Sequence, residues 1–322
     1  MERIRVGVIG AGHLGRFHAQ QYAQIPSVAL AGVMDAEPAR AEAVAAESRC
    51  PVFADMDDLL GKVRAVSVAV PTDRHGAVCR RVLEAGVHCL VEKPIARTLE
   101  EADGLIALSG RNRLVLHVGH VERFNPAVLA LQGFPLAPRF IEAHRLAPFN
   151  PRGTEVAVIL DLMIHDIDLA LHLVRSPVAN VDASGVAVVS DSTDIANARI
   201  RFRNGAVANL TASRISQKKM RKMRLFQKDA YVSVDFLEKT SEIYRLEEGT
   251  EGAGMVLGEI GIGTNRRRVV YRRPDVPDTN GLRAELETFL RAVRGEAVSA
   301  VTGQEGRQAL AVAMDVLGHM EA

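Results

Sequence analysis

Residues 4–20 read IRVGVIGAGHLGRFHAQ, and this stretch decides the fold. An apolar run of strand character, IRVGVIG, meets three glycines and then a helical pattern, HLGRFHAQQYAQ. The glycines Gly10, Gly12 and Gly15 form G-x-G-x-x-G in the context that its chemistry needs. Gly10 permits the tight turn, Gly12 lets the backbone approach a pyrophosphate, and Gly15 lets helix and strand pack closely. The helix start, with Ala11, His13 and Leu14, offers N–H donors and a partial positive charge to an anion. Asp35 stands about 20 residues past Gly15, at the end of the next strand pattern, where an acid accepts bonds from both ribose hydroxyls. It would repel a 2′-phosphate, so the expected cofactor is NAD rather than NADP, with Arg40 as the cation able to answer a 2′-phosphate.

Working outward, strand and helix patterns alternate. Strand patterns at 28–35, 65–70, 87–92 and 113–119 are separated by helical ones at 38–48, 75–86 and 98–109. Nearly wholly apolar strands in such alternation imply a parallel sheet covered on both faces, with right-handed crossovers. The pattern changes after Gly119. A short helix in ERFNPAVLALQGFP leads to the strand FIEAHRL and a strongly apolar helix, VAVILDLMIHDIDLALHLV. From 178 to 271 the text is strand-like, with Asn204-Gly205 marking a hairpin. Two helical stretches, 281–294 and 303–320, close the chain. The fold class expected is α/β: a doubly wound N-terminal domain over 1–121 and a C-terminal α/β domain over 122–322 with a mostly antiparallel open sheet. The Gly-rich segment 247–268 reads as a mobile loop.

Composition narrows the function classes. Of 322 residues, 48% are hydrophobic and 25% charged, ordinary for a soluble globular protein of two domains. Forty basic against 39 acidic residues leave a net charge of +1, which gives no field for nucleic acid or membrane. Cys50, Cys79 and Cys89 are too few and scattered for a disulfide framework and read as thiols in a reducing cytoplasm. The N-terminal apolar run is too short for a secretion signal.

Ligands of such sheets bind outside the carboxyl ends of the strands, so the residues closing each strand matter. One strand closes on Pro71, Thr72 and His75. Pro71 stops the ladder, and Thr72 faces the cofactor or merely caps the following helix. The next closes on Glu92, Lys93 and Pro94. The proline keeps Lys93 out of helical geometry, at the mouth where a nicotinamide would lie, with Glu92 beside it. In the apolar helix, Asp161 and His165 are four apart and share a face. Charge on such a helix is costly unless paired or used, and Asp166 and Asp168 add carboxylates nearby. No second set of ligands at metal spacing accompanies them, so no metal is expected.

These features together resemble the Gfo/Idh/MocA family of oxidoreductases. The resemblance is carried by GAGHLG, AGVHCLVEKPIA, DLMIHDID and the tail LRAELETFLRAVRGE…VTGQEGRQAL, across nearly the whole chain. It implies a nicotinamide cofactor, an open sheet that packs between subunits, and catalysis by Lys93 with the Asp161–His165 pair. VGHVERFNPAV, RLAPFNPRGTEVAVIL and SRISQKKMRKMRLFQKDAYVSVDF resemble, more narrowly, UDP-N-acetylglucosamine 3-dehydrogenases. That resemblance implies oxidation of a sugar hydroxyl to a ketone for a pyridoxal-phosphate aminotransferase in lipid A synthesis. A sugar hydroxyl would lie between Lys93 and His165, either of which takes its proton, with Asp161 fixing the imidazole tautomer. Arg123 and Asn125 are candidates for the substrate, with His120 at its boundary with the cofactor. The basic run 218–224 is a candidate for the diphosphate, or else a solvated face or subunit contact. A homodimer or homotetramer is expected. The competing readings are a dehydrogenase of a free sugar or cyclitol, and a non-catalytic NAD-sensing regulator.

Overall fold

A computed structural model describes residues 3–150, 156–248, 254–261, 266–298 and 300–320. The chain divides into two compact units, Met1–Val121 with Asn280–Leu310, and Glu122–Thr279 with Ala311–Ala322.

The first unit alternates as its sequence implies. Strands β1 (Ile4–Ile9), β2 (Val28–Met34), β3 (Ala65–Val68), β4 (His88–Glu92) and β5 (Leu116–Gly119) form a sheet of order β2-β1-β3-β4-β5. Every pairing is parallel. Helices α1 (His13–Gln24), α2 (Pro38–Ser48), α3 (Met56–Leu60), α4 (His75–Glu84) and α5 (Leu99–Arg111) lie between the strands. Local chemistry explains their starts: Pro38 opens α2, and Asp55 and Thr98 accept N–H groups of the first turns of α3 and α5. The sheet order reverses between β1 and β3, which places the ligand crevice at their carboxyl ends.

The second unit is built on a mixed sheet. Helix α6 (Pro126–Leu129) precedes β6 (Phe140–Leu146), and a π-helical turn (Ile159–Met163) runs into α7 (Ile164–Val174). Strands β7 (Val178–Val186), β8 (Ile195–Phe202), β9 (Val207–Ser213), β10 (Met220–Phe226), β11 (Ala230–Asp235), β12 (Thr240–Glu247), β13 (Met255–Ile260) and β14 (Arg267–Arg272) follow. The order is β13-β14-β12-β11-β10-β6-β9-β8-β7. Among the described strands of this second sheet, only β6 and β9 pair in parallel. The expected hairpin joins β8 to β9, with Gly205 at φ +83° and Asn204 Oδ1 accepting the Ala206 N–H at 3.0 Å. The Gly-rich segment read as a loop instead contributes β13, an edge strand paired with β14. Its flanks, 249–253 and 262–265, lie outside the described residues.

One face of this sheet packs under α6 and α7. The opposite face carries a row of aromatic rings in register across neighbouring strands: Phe140, Phe226, Tyr231, Tyr244 and Tyr271, with centroids 5.0–5.7 Å apart.

The chain closes with α8 (Gly281–Val293) and α9 (Gly303–Gly318). A single cut at 121/122 therefore misplaces residues 280–310. The apolar stripe of α8, Leu286, Phe289, Leu290 and Val293, joins the core formed by Val6, Val8, Tyr22 and Leu90. Phe289 is fully buried, so Phe289→Ala should cost about 3–5 kcal/mol in urea unfolding of the first unit. A loss under about 1 kcal/mol would show that α8 does not belong to that core.

Candidate functional site

The glycine turn is shaped by contacts that admit no side chain. Gly10 has φ +96°, and a Cβ there would meet the Ala69 carbonyl oxygen at 2.5 Å. A Cβ on Gly15 would lie 1.7 Å from the Gly10 oxygen. At Gly12, by contrast, a Cβ would meet nothing within 4 Å, so the space beside it is open. Gly12 is also the N-cap of α1, with no side chain capping it and no acid in the first turn. The first N–H groups of α1 and its dipole thus face an open cradle, the arrangement a pyrophosphate requires. His13 and Leu14 are exposed at this start.

Asp35 does more than the sequence implies. Its carboxylate accepts the Ala11 N–H at 2.6 Å and the Glu37 N–H at 2.8 Å, so it ties down the glycine turn itself. Two of its roughly four acceptor sites remain for ribose hydroxyls. Arg40, which could answer a 2′-phosphate, lies 2.9 Å from Glu37 on the surface. These residues fit NAD.

At the end of β3, Pro71 is exposed and Thr72 opens a short 3₁₀ turn without capping α4. His75, expected at the cofactor, instead turns inward. Its ring is 1% exposed, with Nδ1 2.8 Å from the Pro94 carbonyl oxygen and Nε2 2.9 Å from that of Val70. Burial pulls its pKa below the ordinary histidine value, against the pull of those carbonyls and of Glu92 and Asp73. Glu92 turns inward as well. Its Oε1 accepts from His18 Nε2 at 2.8 Å, both groups being buried. Burial pushes the Glu92 carboxyl up, but the hydrogen bond and charge of His18, with Lys93, hold it below the usual range. Lys93 follows, half-buried, joined to Pro94 by a cis peptide. His120 sits just past β5, 1% exposed, its N–H bonded to Val118 O. Sequence reading missed His18. Its signal was a histidine three residues past Gly15 on the buried side of α1.

In the second unit the charged residues on the apolar helix sort into two kinds. Asp161 lies exposed on the π-helical turn, and His165 follows half-buried in the first turn of α7. The sequence implied a regular α-helix here. A π turn inserts one extra residue, a feature frequent at functional sites, and the four-residue spacing still falls within one turn. Asp166 and Asp168 are structural. Arg145 grips Asp166 through two bonds of 3.0 and 2.8 Å and reaches Glu122 at 2.7 Å. Arg123 grips Asp168 at 2.7 and 2.6 Å and contacts His172 Nδ1 at 3.1 Å. Such bidentate pairing is what makes buried charge tolerable.

Arg123, expected at the substrate, is therefore committed to Asp168. Asn125 is committed too: it caps α6 by accepting from Ala127 N–H at 3.1 Å and donates to Glu122 and the Phe236 carbonyl. In the basic run, Lys222 and Arg224 pair with Asp235 and Glu142, while Arg221 approaches Glu122 at 3.7 Å. Among the described residues, no group of three potential ligands could hold a metal, and no helix is long and apolar enough to cross a membrane.

A parallel sheet with this glycine turn and acid defines a dinucleotide-binding protein with a Rossmann fold. Residues 4–120 match the family model described as an oxidoreductase family with that fold, and residues 138–232 match the GFO/IDH/MocA C-terminal domain. The chain belongs to the Gfo/Idh/MocA family. It is 47% identical over 324 residues to the UDP-N-acetylglucosamine 3-dehydrogenase of Acidithiobacillus ferrooxidans, covering 100% of this chain and 99% of the relative. A solved structure of an enzyme of that name from the same organism superposes with TM-score 0.88 at 44% identity, covering 100% of this chain and 99% of the other. An inositol 2-dehydrogenase of Rhizobium meliloti is more distant, at 27% identity over 96% of this chain and 94% of its own.

Because a methyl at Gly12 meets no protein atom, Gly12→Ala should fold with a native melting temperature. It should bind NADH at least tenfold more weakly in a fluorescence titration, the methyl lying where phosphate approaches. Native affinity would mean the open space is not the cofactor's.

Proposed function

We propose that this protein oxidises the C3 hydroxyl of UDP-N-acetylglucosamine to a ketone with NAD+ as oxidant. The observation that carries the reading is full-length identity of 47% to an enzyme of that name, against 27% to the inositol enzyme. Bound NAD+ supplies the hydride acceptor.

Lys93 and His165 handle the hydroxyl proton, one as acceptor and the other as its relay. A charged Lys93 would stabilise the developing alkoxide, whereas a neutral one would take the proton itself. Asp161 sets the imidazole tautomer and steadies its cation. His120, at the end of β5, is the candidate substrate-side residue of the first unit. Arg123 and Asn125 act by bracing α6 and α7 rather than by touching the sugar. The keto product suits a pyridoxal-phosphate aminotransferase that installs a 3-amino group for lipid A, and a cytoplasmic location is part of this reading.

The row of five aromatic rings on the face away from α7 supports a homo-oligomer, since half-exposed aromatics in register make a ready interface. Replacing Tyr231 and Tyr244 together with Asp should shift the protein to monomer in light scattering. An unchanged mass would exclude this face.

The substrate is tested by incubating the protein with NAD+ and a panel of UDP-sugars, free sugars and inositols. Absorbance of the reduced cofactor is followed, with an aminotransferase and glutamate added to draw off ketone. Turnover is expected with UDP-N-acetylglucosamine, and preference for inositol would overturn the assignment. Lys93→Ala should lower the single-turnover rate about a thousandfold with NADH affinity within about twofold of native.

A further inference from the structure

The segment that carries Lys93 is held on both sides by buried histidines outside the chemistry. His75 is one. Its two ring nitrogens face the carbonyl oxygens of Pro94 and Val70 at 2.8 and 2.9 Å. Carbonyl oxygens only accept, so a neutral ring satisfies one of them and the imidazolium both. Val70 lies just past β3 and Pro94 just past Lys93, so the ring is wedged between two strand ends and, when neutral, donates to one of them.

His18 is the other. It is wholly buried on α1, and its Nε2 donates to Glu92. Glu92 is the residue immediately before Lys93, so this bond anchors the backbone from which Lys93 follows. Its berth is tight: a Cβ on the facing Gly119 would lie 3.2 Å from Glu92 Oε2. α1 is thus bonded through His18 to Glu92, the residue before Lys93, and His75 lies between the Val70 and Pro94 carbonyls at hydrogen-bond distance of each.

We propose that His18 and His75 are positioning residues that pin the backbone on either side of Lys93 and so aim its side chain. A lysine stem is long and flexible, so what its neighbours can fix is the backbone from which it springs. Misplacement of a reacting group by about 1 Å costs on the order of a hundredfold in rate. A histidine that merely filled the core would not direct both ring nitrogens at the ends of two catalytic-edge strands, as His75 does. The inference rests on the role given to Lys93.

The test is a pair of double-mutant cycles in the full-length protein, read as single-turnover rates with enzyme in excess over UDP-N-acetylglucosamine and saturating NAD+. His75→Gln and His18→Gln should each lower the rate about 10- to 100-fold in the native background, with NADH affinity within about twofold. In the Lys93→Ala background the same changes should cost less than about twofold, because there is no longer a lysine to aim. Native rates in both histidine variants, or equal losses in both backgrounds, would overturn the clamp while Lys93 stands. A native rate for Lys93→Ala would overturn the role of Lys93 and the clamp with it. Should one histidine variant fail to fold by circular dichroism, the other cycle decides.

Discussion

Two backbone segments approach each other at the start of α1 so closely that only glycine fits. A methyl on Gly15 would sit 1.7 Å from the Gly10 oxygen, and one on Gly10 would press on Ala69 at the end of β3. This approach sets the angle at which α1 leaves β1 and points its N-terminus along the carboxyl edge of the sheet. Parallel pairing then brings the ends of β3, β4 and β5 to the same edge. Asp35 reinforces the turn by accepting the Ala11 N–H. The acid that excludes a 2′-phosphate is therefore also part of the cradle's frame, and its two duties share one carboxylate.

Buried charge organises the rest. In the first unit His18 and Glu92 form a closed pair beneath Lys93. In the second, Arg145 with Asp166 and Arg123 with Asp168 fasten the first turns of α7. Breaking a buried pair of this kind costs about 3–5 kcal/mol, because the survivor is left without compensation. His165 immediately precedes the gripped Asp166 in the first turn of α7, so its backbone is held next to that pair. Asp161 sits on the preceding π turn, outside that grip and exposed to solvent. Lys93 and His165, both half-buried, each stand next to a residue held in a buried pair, Glu92 and Asp166.

Family and substrate rest on different supports. Fold, cradle and the two matched domains place the chain among Gfo/Idh/MocA oxidoreductases. The sugar nucleotide comes from likeness to one enzyme along its whole length. Arg123 and Asn125, first nominated for the substrate, also brace the second unit through Asp168 and the start of α6.

By itself the sequence determined whatever depends on near neighbours in the chain: the glycine spacing, the apolar strands, the Asn-Gly hairpin and the proline that stops β4 at a lysine. Each is a local constraint, a backbone angle or a periodicity, and it survives wherever the segment is placed. Only the tertiary structure decided which polar side chains face a ligand and which face the protein. His75, Glu92, Arg123 and Asn125 look chemical in sequence, yet each closes a bond within its own unit. Their partners lie 2 to 111 residues away, and α8 likewise returns to a core begun nearly 280 positions earlier. Nothing in a local pattern can reveal that, because a buried polar group takes its meaning from the partner that satisfies it, and folding alone chooses the partner.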